Sequence, residues 1–295
     1  MSRQDIAERR RRFAEEMTAP LAPGAAATGV AAIRAAFARV PREAFLGPPP
    51  WQLLGGGFAP EETSDPADLY RDVLVVLSEG KGLNNGSPSL HARMLHLLGA
   101  APGDHVLHVG AGGGYYTAIL AELVGPAGRV TAVEFDAKLA VAAARSLRDR
   151  PQVTVAQGDG ADFPTGMVQR IYVNFALAEP AASWLDRLAV GGVLLFPLGT
   201  PGPRNGDAQG GYSARSAILV VTRMEAGYAA GFDAPVAFVF AEGRTAGDAA
   251  LREALWHAFG RGGLHRVRSL HRTALPEAES WVSSPRFSLG YAPPG

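Results

Sequence analysis

Three groups of residues stand at a spacing that can hold a nucleoside. Gly110-Ala111-Gly112-Gly113-Gly114 follows the apolar run Val106–Val109 and precedes Tyr115. Glycines at such a junction let the backbone turn sharply and approach a ligand closely. Glu134 comes twenty residues after Gly114, near the end of the next apolar run. A carboxylate there can accept hydrogen bonds from both ribose hydroxyls of an adenosine. Gly158-Asp159-Gly160 closes the third run. Asp159 can meet an adenine amino group, and the flanking glycines leave room for the ring. Alone, a glycine loop says little and an acid can be a helix cap. The three in order, at the ends of predicted strands, lie where open α/β sheets bind ligands.

Two common phosphate motifs fail. The dinucleotide fingerprint needs a glycine three residues after its second one, and counting from Gly112 that position is Tyr115. The P-loop needs Gly-Lys-Ser/Thr, which does not follow.

These residues need a scaffold, and the punctuation of the chain predicts one. Residues 4–18 and 28–39 read as helices, the second closed by Val40-Pro41. Residues 47–68, with Pro48-Pro49-Pro50 and Gly55-Gly56-Gly57, read as a long irregular loop. Ser87-Pro88 starts a helix with Leu90, Met94, Leu97 and Leu98 on its apolar face, and Gly99 stops it. Strands at Val106–Val109, Arg129–Phe135, Val153–Ala156, Ile171–Ala176 and Val193–Leu198 alternate with helices at Tyr115–Val124, Ala137–Arg148 and Trp184–Leu188. That alternation predicts a parallel sheet covered on both faces. Ala217–Met224 and Val236–Phe240 read as an antiparallel hairpin at the sheet edge, and residues 247–260 as a further helix. The expected organisation is an N-terminal helical extension and loop (1–80), a core (81–243) and a C-terminal extension (244–295).

Bulk composition narrows the classes. The chain has 295 residues, 47% hydrophobic and 19% charged, which suits a folded enzyme. Lys plus Arg and Asp plus Glu balance at 28 each, which gives no case for nucleic acid or an anionic membrane. The absence of cysteine excludes disulfides, thiolate nucleophiles and thiolate metal sites. The histidines lack metal-ligand spacing, so no metal is expected. Arg9 to Arg12 are followed by Phe13-Ala14-Glu15-Glu16 instead of an apolar run, and no membrane-length apolar stretch occurs. A cytoplasmic protein is expected.

The same residues resemble the protein-L-isoaspartate (D-aspartate) O-methyltransferase family. The resemblance runs from about Val40 to Gly243. It rests on Val40-Pro41-Arg42-Glu43-Ala44-Phe45, Leu69-Tyr70-Arg71-Asp72, the loop Val106 to Tyr115, Gly158-Asp159-Gly160 and Gly191 to Gly199. It implies a Rossmann-like class I fold: a mostly parallel seven-stranded sheet with an antiparallel hairpin at one edge. It implies S-adenosyl-L-methionine as cofactor and S-adenosyl-L-homocysteine as product. The cofactor contacts then fall on His108, Gly110, Ala111, Gly112, Gly114, Tyr115, Glu134, Phe135, Asp159 and Gly160. His108 stands where the family has an acidic residue. The family also carries Thr-Ile-Ser before the helix-starting proline, and its serine contacts the acceptor carboxylate. Here Asn84-Asn85-Gly86-Ser87 precedes Pro88, and the serine position falls on Gly86.

The chemistry this permits is methyl transfer to a carboxylate of a peptide or small molecule. Such an acceptor is already ionised at neutral pH, with a pKa of about 4, and needs no base. Asn84, Asn85 and Ser87 are the acceptor-side residues; their bland readings are turn chemistry for the asparagines and a helix cap for Ser87. An amine or phenol acceptor would need a base, for which His91 and His108 are nearest. Their bland readings are a helix-surface residue and a hydrogen-bonded strand residue. A third reading is a cofactor-binding protein without turnover. The basic run Arg9–Arg12 reads as a solvated helix, and His265 to Arg272 as a solvent-facing strand or lid.

Overall fold

The computed structural model describes residues 3–21, 27–55, 60–78, 80, 82–201, 211–241 and 243–295. The chain divides into two units, residues 1–159 and 160–295.

The first unit opens with helices α1 (Arg3–Thr18) and α2 (Ala27–Arg39). Phe13, Ala14 and Met17 are buried on α1, and Ile33, Ala36 and Phe37 on α2, with Val40 just beyond it. This is the stripe that lets two helices bury one face each. Phe13 and Phe37 meet at 6.0 Å between ring centroids. Next come β1 (Trp51–Leu54), β2 (Glu61–Thr63), β3 (Leu74–Ser78) and β4 (Leu83–Asn84), an antiparallel sheet in the order β2-β1-β3-β4. The long irregular loop expected at 47–68 is therefore corrected. Trp51 and Leu53 alternate inward onto Leu69 and Val75. Strands of three and four residues between proline and glycine runs carry too little periodicity to stand out. Gly56 and Gly57 of the glycine run expected there, with residues 58 and 59, lie outside the described residues.

Helix α3 (Pro88–Leu98) starts where Ser87 Oγ accepts from the Leu90 amide at 3.4 Å, and ends at Gly99 with φ +63°. Then β5 (His105–Val109), α4 (Tyr115–Val124), β6 (Arg129–Glu134), α5 (Ala137–Ser146) and β7 (Val153–Gln157) alternate. The three strands are parallel, with β6 in the middle. Val106, Leu107, Val130, Ala132 and Val133 are fully or almost fully buried, as are Ile119 and Leu120 of α4. Parallel pairing brings the carboxyl ends of β5, β6 and β7 to one side.

The second unit holds β8 (Val168–Val173), α6 (Ala182–Arg187), β9 (Leu188–Pro201), β10 (Ser213–Arg223) and β11 (Tyr228–Pro235). Helix α7 (Ala249–Arg261) and the short strands β12 (Ser269–His271), β13 (Ser280–Ser283) and β14 (Ser288–Gly290) follow. Its strands lie in the order β13-β14-β12-β11-β10-β9-β8. Strands β8 and β9 are parallel and the other pairs antiparallel. Two expectations are corrected. The hairpin partner of β10 is β11, not Val236–Phe240, which contributes only isolated bridges at Val239 and Phe240. The hairpin is also not at an edge, because β12, β14 and β13 continue the sheet beyond it, past the expected seven strands. In the basic segment, Val267 and Leu270 are buried while Arg266, Arg268 and Arg272 are exposed.

Candidate cofactor and acceptor site

The glycine loop joins β5 to α4. Gly110, Gly112 and Gly114 have φ of +79°, +55° and +93°, the left-handed region that favours glycine. The amides of Gly110 and Ala111 both donate to Val133 O, at 2.9 and 3.2 Å, so the loop is tied to β6. A Cβ on Gly113 would stand 2.2 Å from Phe45 O, and one on Gly114 2.9 Å from Leu147 Cδ1. These two glycines are therefore demanded by the protein's own packing.

Glu134 ends β6 and is 8% exposed. Its Oε2 accepts from the Gly112 amide at 2.7 Å, and its Oε1 from the Asp136 amide at 2.9 Å. Burial raises this carboxyl above the ordinary glutamate range, against the two amides, which lower it. A carboxylate has about four acceptor positions, more than its backbone donors Gly112, Asp136 and Phe135 fill. Phe135 follows with 66% of its surface exposed, an aromatic face for a base. Asp136 caps α5, accepting from Lys138 N at 2.9 Å and Leu139 N at 3.1 Å. Asp159 lies just past the end of β7, and its residue is partly buried. These features fit an adenosine cofactor. Gly160 begins a short 3-10 turn in the second unit, and its carbonyl accepts from Trp184 Nε1 at 2.9 Å.

Two predicted cofactor residues turn their side chains into the core. His108 is fully buried, with Nδ1 2.8 Å from Thr117 Oγ1. Burial holds its pKa down at about 3, so the ring is neutral. Tyr115 is 3% exposed and packs edge-on against Phe37, Phe45 and Tyr116.

On the acceptor side, the three predicted residues are already engaged in different ways. Asn84 Oδ1 accepts from the Gly86 amide at 2.9 Å, an Asx turn. Ser87 Oγ donates to Asp72 Oδ1 at 2.8 Å and caps α3. Asn85 is buried, and its Oδ1 accepts from Val75 N at 2.8 Å and Arg42 Nη2 at 3.1 Å. His91, read from sequence as a surface residue, is instead completely buried on the inner face of α3. Its ring stacks on Tyr116 at 3.7 Å and 13° between planes. Burial first, then electrostatic interaction with His108 and Arg42, pushes its pKa well below the ordinary histidine value.

Residues 57–213 match the family described as Protein-L-isoaspartate(D-aspartate) O-methyltransferase (PCMT), just over half of the 295-residue chain. The chain belongs to this isoaspartate O-methyltransferase family. The Protein-L-isoaspartate O-methyltransferase of Aeropyrum pernix is 40% identical over 174 residues, 56% of this chain and 59% of that one. That of Ignicoccus hospitalis is 31% identical over 208 residues, 69% of this chain and 85% of its own length. The chain thus spans 59% of the Aeropyrum relative's length. A solved protein-L-isoaspartate O-methyltransferase superposes with a TM-score of 0.64 at 21% identity, over 80% of this chain and 67% of that one. A putative Plasmodium falciparum member, solved with S-adenosyl-L-homocysteine, gives 0.57 at 16% identity, over 79% and 98%. Both show the fold: a Rossmann-like class I methyltransferase architecture.

Within this isoaspartate O-methyltransferase family member, two residues with structural work at the site escaped the sequence reading. Arg42 is fully buried and donates to Leu69 O at 2.6 Å and Val73 O at 2.5 Å. Asp72 receives Ser87 Oγ, Ser89 Oγ and the Ser89 amide at the start of α3. Both lie in the family motifs, but nothing in their spacing marks a partner 15 to 43 residues away. Among the described residues no His/Asp/Glu cluster could hold a metal, and no helix is long and apolar enough to cross a membrane.

Proposed function

We propose that this protein is an S-adenosyl-L-methionine-dependent methyltransferase acting on a carboxylate of a peptide or small molecule in the cytoplasm. The observation that carries the reading is Glu134, held between the Gly112 and Asp136 amides at the end of β6 with Phe135 exposed beside it. Glu134 would take the ribose hydroxyls, Phe135 the face of the adenine, and Asp159 its edge. When bound, the cofactor supplies an activated methyl group. The chain then has to align acceptor and methyl and exclude water. An ionised carboxylate needs no proton removed, which agrees with a site whose two nearest histidines are buried and neutral. Family membership supports an isoaspartyl carboxylate as acceptor, and the balanced charge favours a peptide or small molecule over nucleic acid.

Calorimetry with S-adenosyl-L-homocysteine and with NAD tests the cofactor. Binding of NAD without binding of S-adenosyl-L-homocysteine sinks the reading. Transfer of a labelled methyl group to an isoaspartyl peptide tests the acceptor. The label should be lost in mild alkali, as an ester is; an alkali-stable product would assign a different acceptor class.

A further inference from the structure

Arg42 and Asn85 lock one another in a defined orientation. The oxygen of Asn85 is identified by its neighbours: the atom that receives both Val75 N–H and Arg42 Nη2–H must be Oδ1. Nδ2 is then fixed on the other side of the amide, buried and without a hydrogen-bond partner among the described residues. Arg42 places Nη1 on the carbonyls of Leu69 and Arg71 and Nη2 on Val73 O and Asn85 Oδ1. Its Nε–H is likewise buried and unpartnered. Among the described residues, none of the guanidinium's hydrogen-bond partners is a carboxylate. Arg42 is fully buried and Asn85 is 6% exposed.

Both unmet groups on this linked pair are donors, and the pair carries a positive charge. Buried donors and a buried cation call for an acceptor with negative charge. The pair also adjoins the turn leading into α3. Gly86, next in sequence, accepts at its carbonyl from Tyr116 Oη at 3.5 Å, and Tyr116 lies in the first turn of the helix after the glycine loop. A Cβ on Gly112 of that loop would stand 3.2 Å from Leu77 of β3, the strand that holds Asn85 through Val75.

We infer that Asn85 Nδ2 binds the acceptor carboxylate, with Arg42 as the residue that positions the amide. This rests on the methyltransferase reading above and assigns Asn85, rather than Asn84 or Ser87, to the acceptor.

Asn85→Asp keeps an oxygen toward Val75 and Arg42 and replaces the donor by a second, anionic oxygen. Binding of an isoaspartyl peptide is measured by calorimetry with S-adenosyl-L-homocysteine saturating. The variant should lose at least tenfold in peptide affinity, while its affinity for S-adenosyl-L-homocysteine stays within twofold and its Tm does not fall. Peptide affinity equal to wild type overturns the inference. So does a wild type that binds S-adenosyl-L-homocysteine but no carboxylate peptide. Loss of S-adenosyl-L-homocysteine binding by the wild type is the separate failure of the methyltransferase reading, and it removes this inference with it. Should Asn85→Asp not fold, the wild type still decides. The Asn85 side-chain amide resonances must shift on peptide addition, and unmoved resonances overturn the inference. In Arg42→Lys those resonances should split or broaden as the amide loses its fixed orientation; a single unchanged pair removes the positioning role of Arg42.

Discussion

The ring of His91 occupies the space that a side chain at position 86 would need. A Cβ on Gly86 would stand 2.1 Å from His91 Nε2 and 2.7 Å from Cδ2, and Gly86 has φ +72°. The ring cannot swing away cheaply, because it is buried and stacked on Tyr116. Gly86→Ser, which would place a hydroxyl at the family's serine position, should therefore destabilise the chain by about 2 kcal/mol or more and bring no gain in methyl transfer. Adding His91→Ala should recover part of the lost stability. Thermal unfolding of the single and double variants checks this; a Gly86→Ser protein as stable as wild type would refute the interlock.

Glu134→Ala should weaken S-adenosyl-L-homocysteine binding by about 1.5–3 kcal/mol, the range for hydrogen bonds to a charged group. Glu134→Gln retains an acceptor for Asp136 N and should lose less. Titration calorimetry on both variants, with circular dichroism to confirm the fold, measures it. Affinity unchanged in both would mean that Glu134 holds only the backbone.

Phe135→Ala separates binding from folding. The ring is 66% exposed, so its removal should leave the Tm nearly unchanged. Loss of a stacked base face should lower cofactor affinity by about 1–3 kcal/mol. A fall in Tm with no change in affinity would reverse the assignment.

Acid should destabilise the fold through the buried histidines. His108 is held at about 3 and His91 is also lowered, whereas an unfolded histidine titrates near 6.5. Below that value the unfolded chain binds more protons than the native one, so stability falls as pH falls. For His108 alone the loss between pH 6.5 and 5 is about 2 kcal/mol. Glu134 acts oppositely. Its raised carboxyl favours the native state as pH drops toward the ordinary glutamate range. The decline should therefore set in near pH 6.5 and continue below pH 5, with Glu134 opposing it near the ordinary glutamate range. Urea unfolding at these values measures it, and His108→Asn should flatten the profile.

Elements whose signals are local and dense were readable from the chain. The glycine loop, Ser87-Pro88 and the buried strands β5 and β6 each combine an apolar run with a turn or cap residue within a few positions. Strand β11 was not, because Tyr-Ala-Ala-Gly-Phe-Asp-Ala-Pro is poor in β-branched residues, and the more apolar Val236–Phe240 drew the assignment away. The acceptor side was legible as a segment but not as an arrangement. The roles of Asn84, Asn85 and Ser87 are decided by Gly86, Arg42 and Asp72, and two of those partners are 15 and 43 residues distant. Burial of His91 follows the 3.6-residue period of α3, since it stands three, four and seven residues before the buried Met94, Leu95 and Leu98, but its polar ring hid it among the apolar positions.

The three short strands after α7 alter what the protein presents to its neighbours. Without them, β11 would lose the partner that pairs its first residues, Tyr228 and Ala229. With them, the outermost strand on that side is β13, four residues long and with a register shift between Ser280 and Val282. Open edges recruit strands from other molecules, and short, irregular ones do so poorly. A chain cut after α7 should therefore be more prone to pair edge to edge than the full chain, which light scattering of the two would measure.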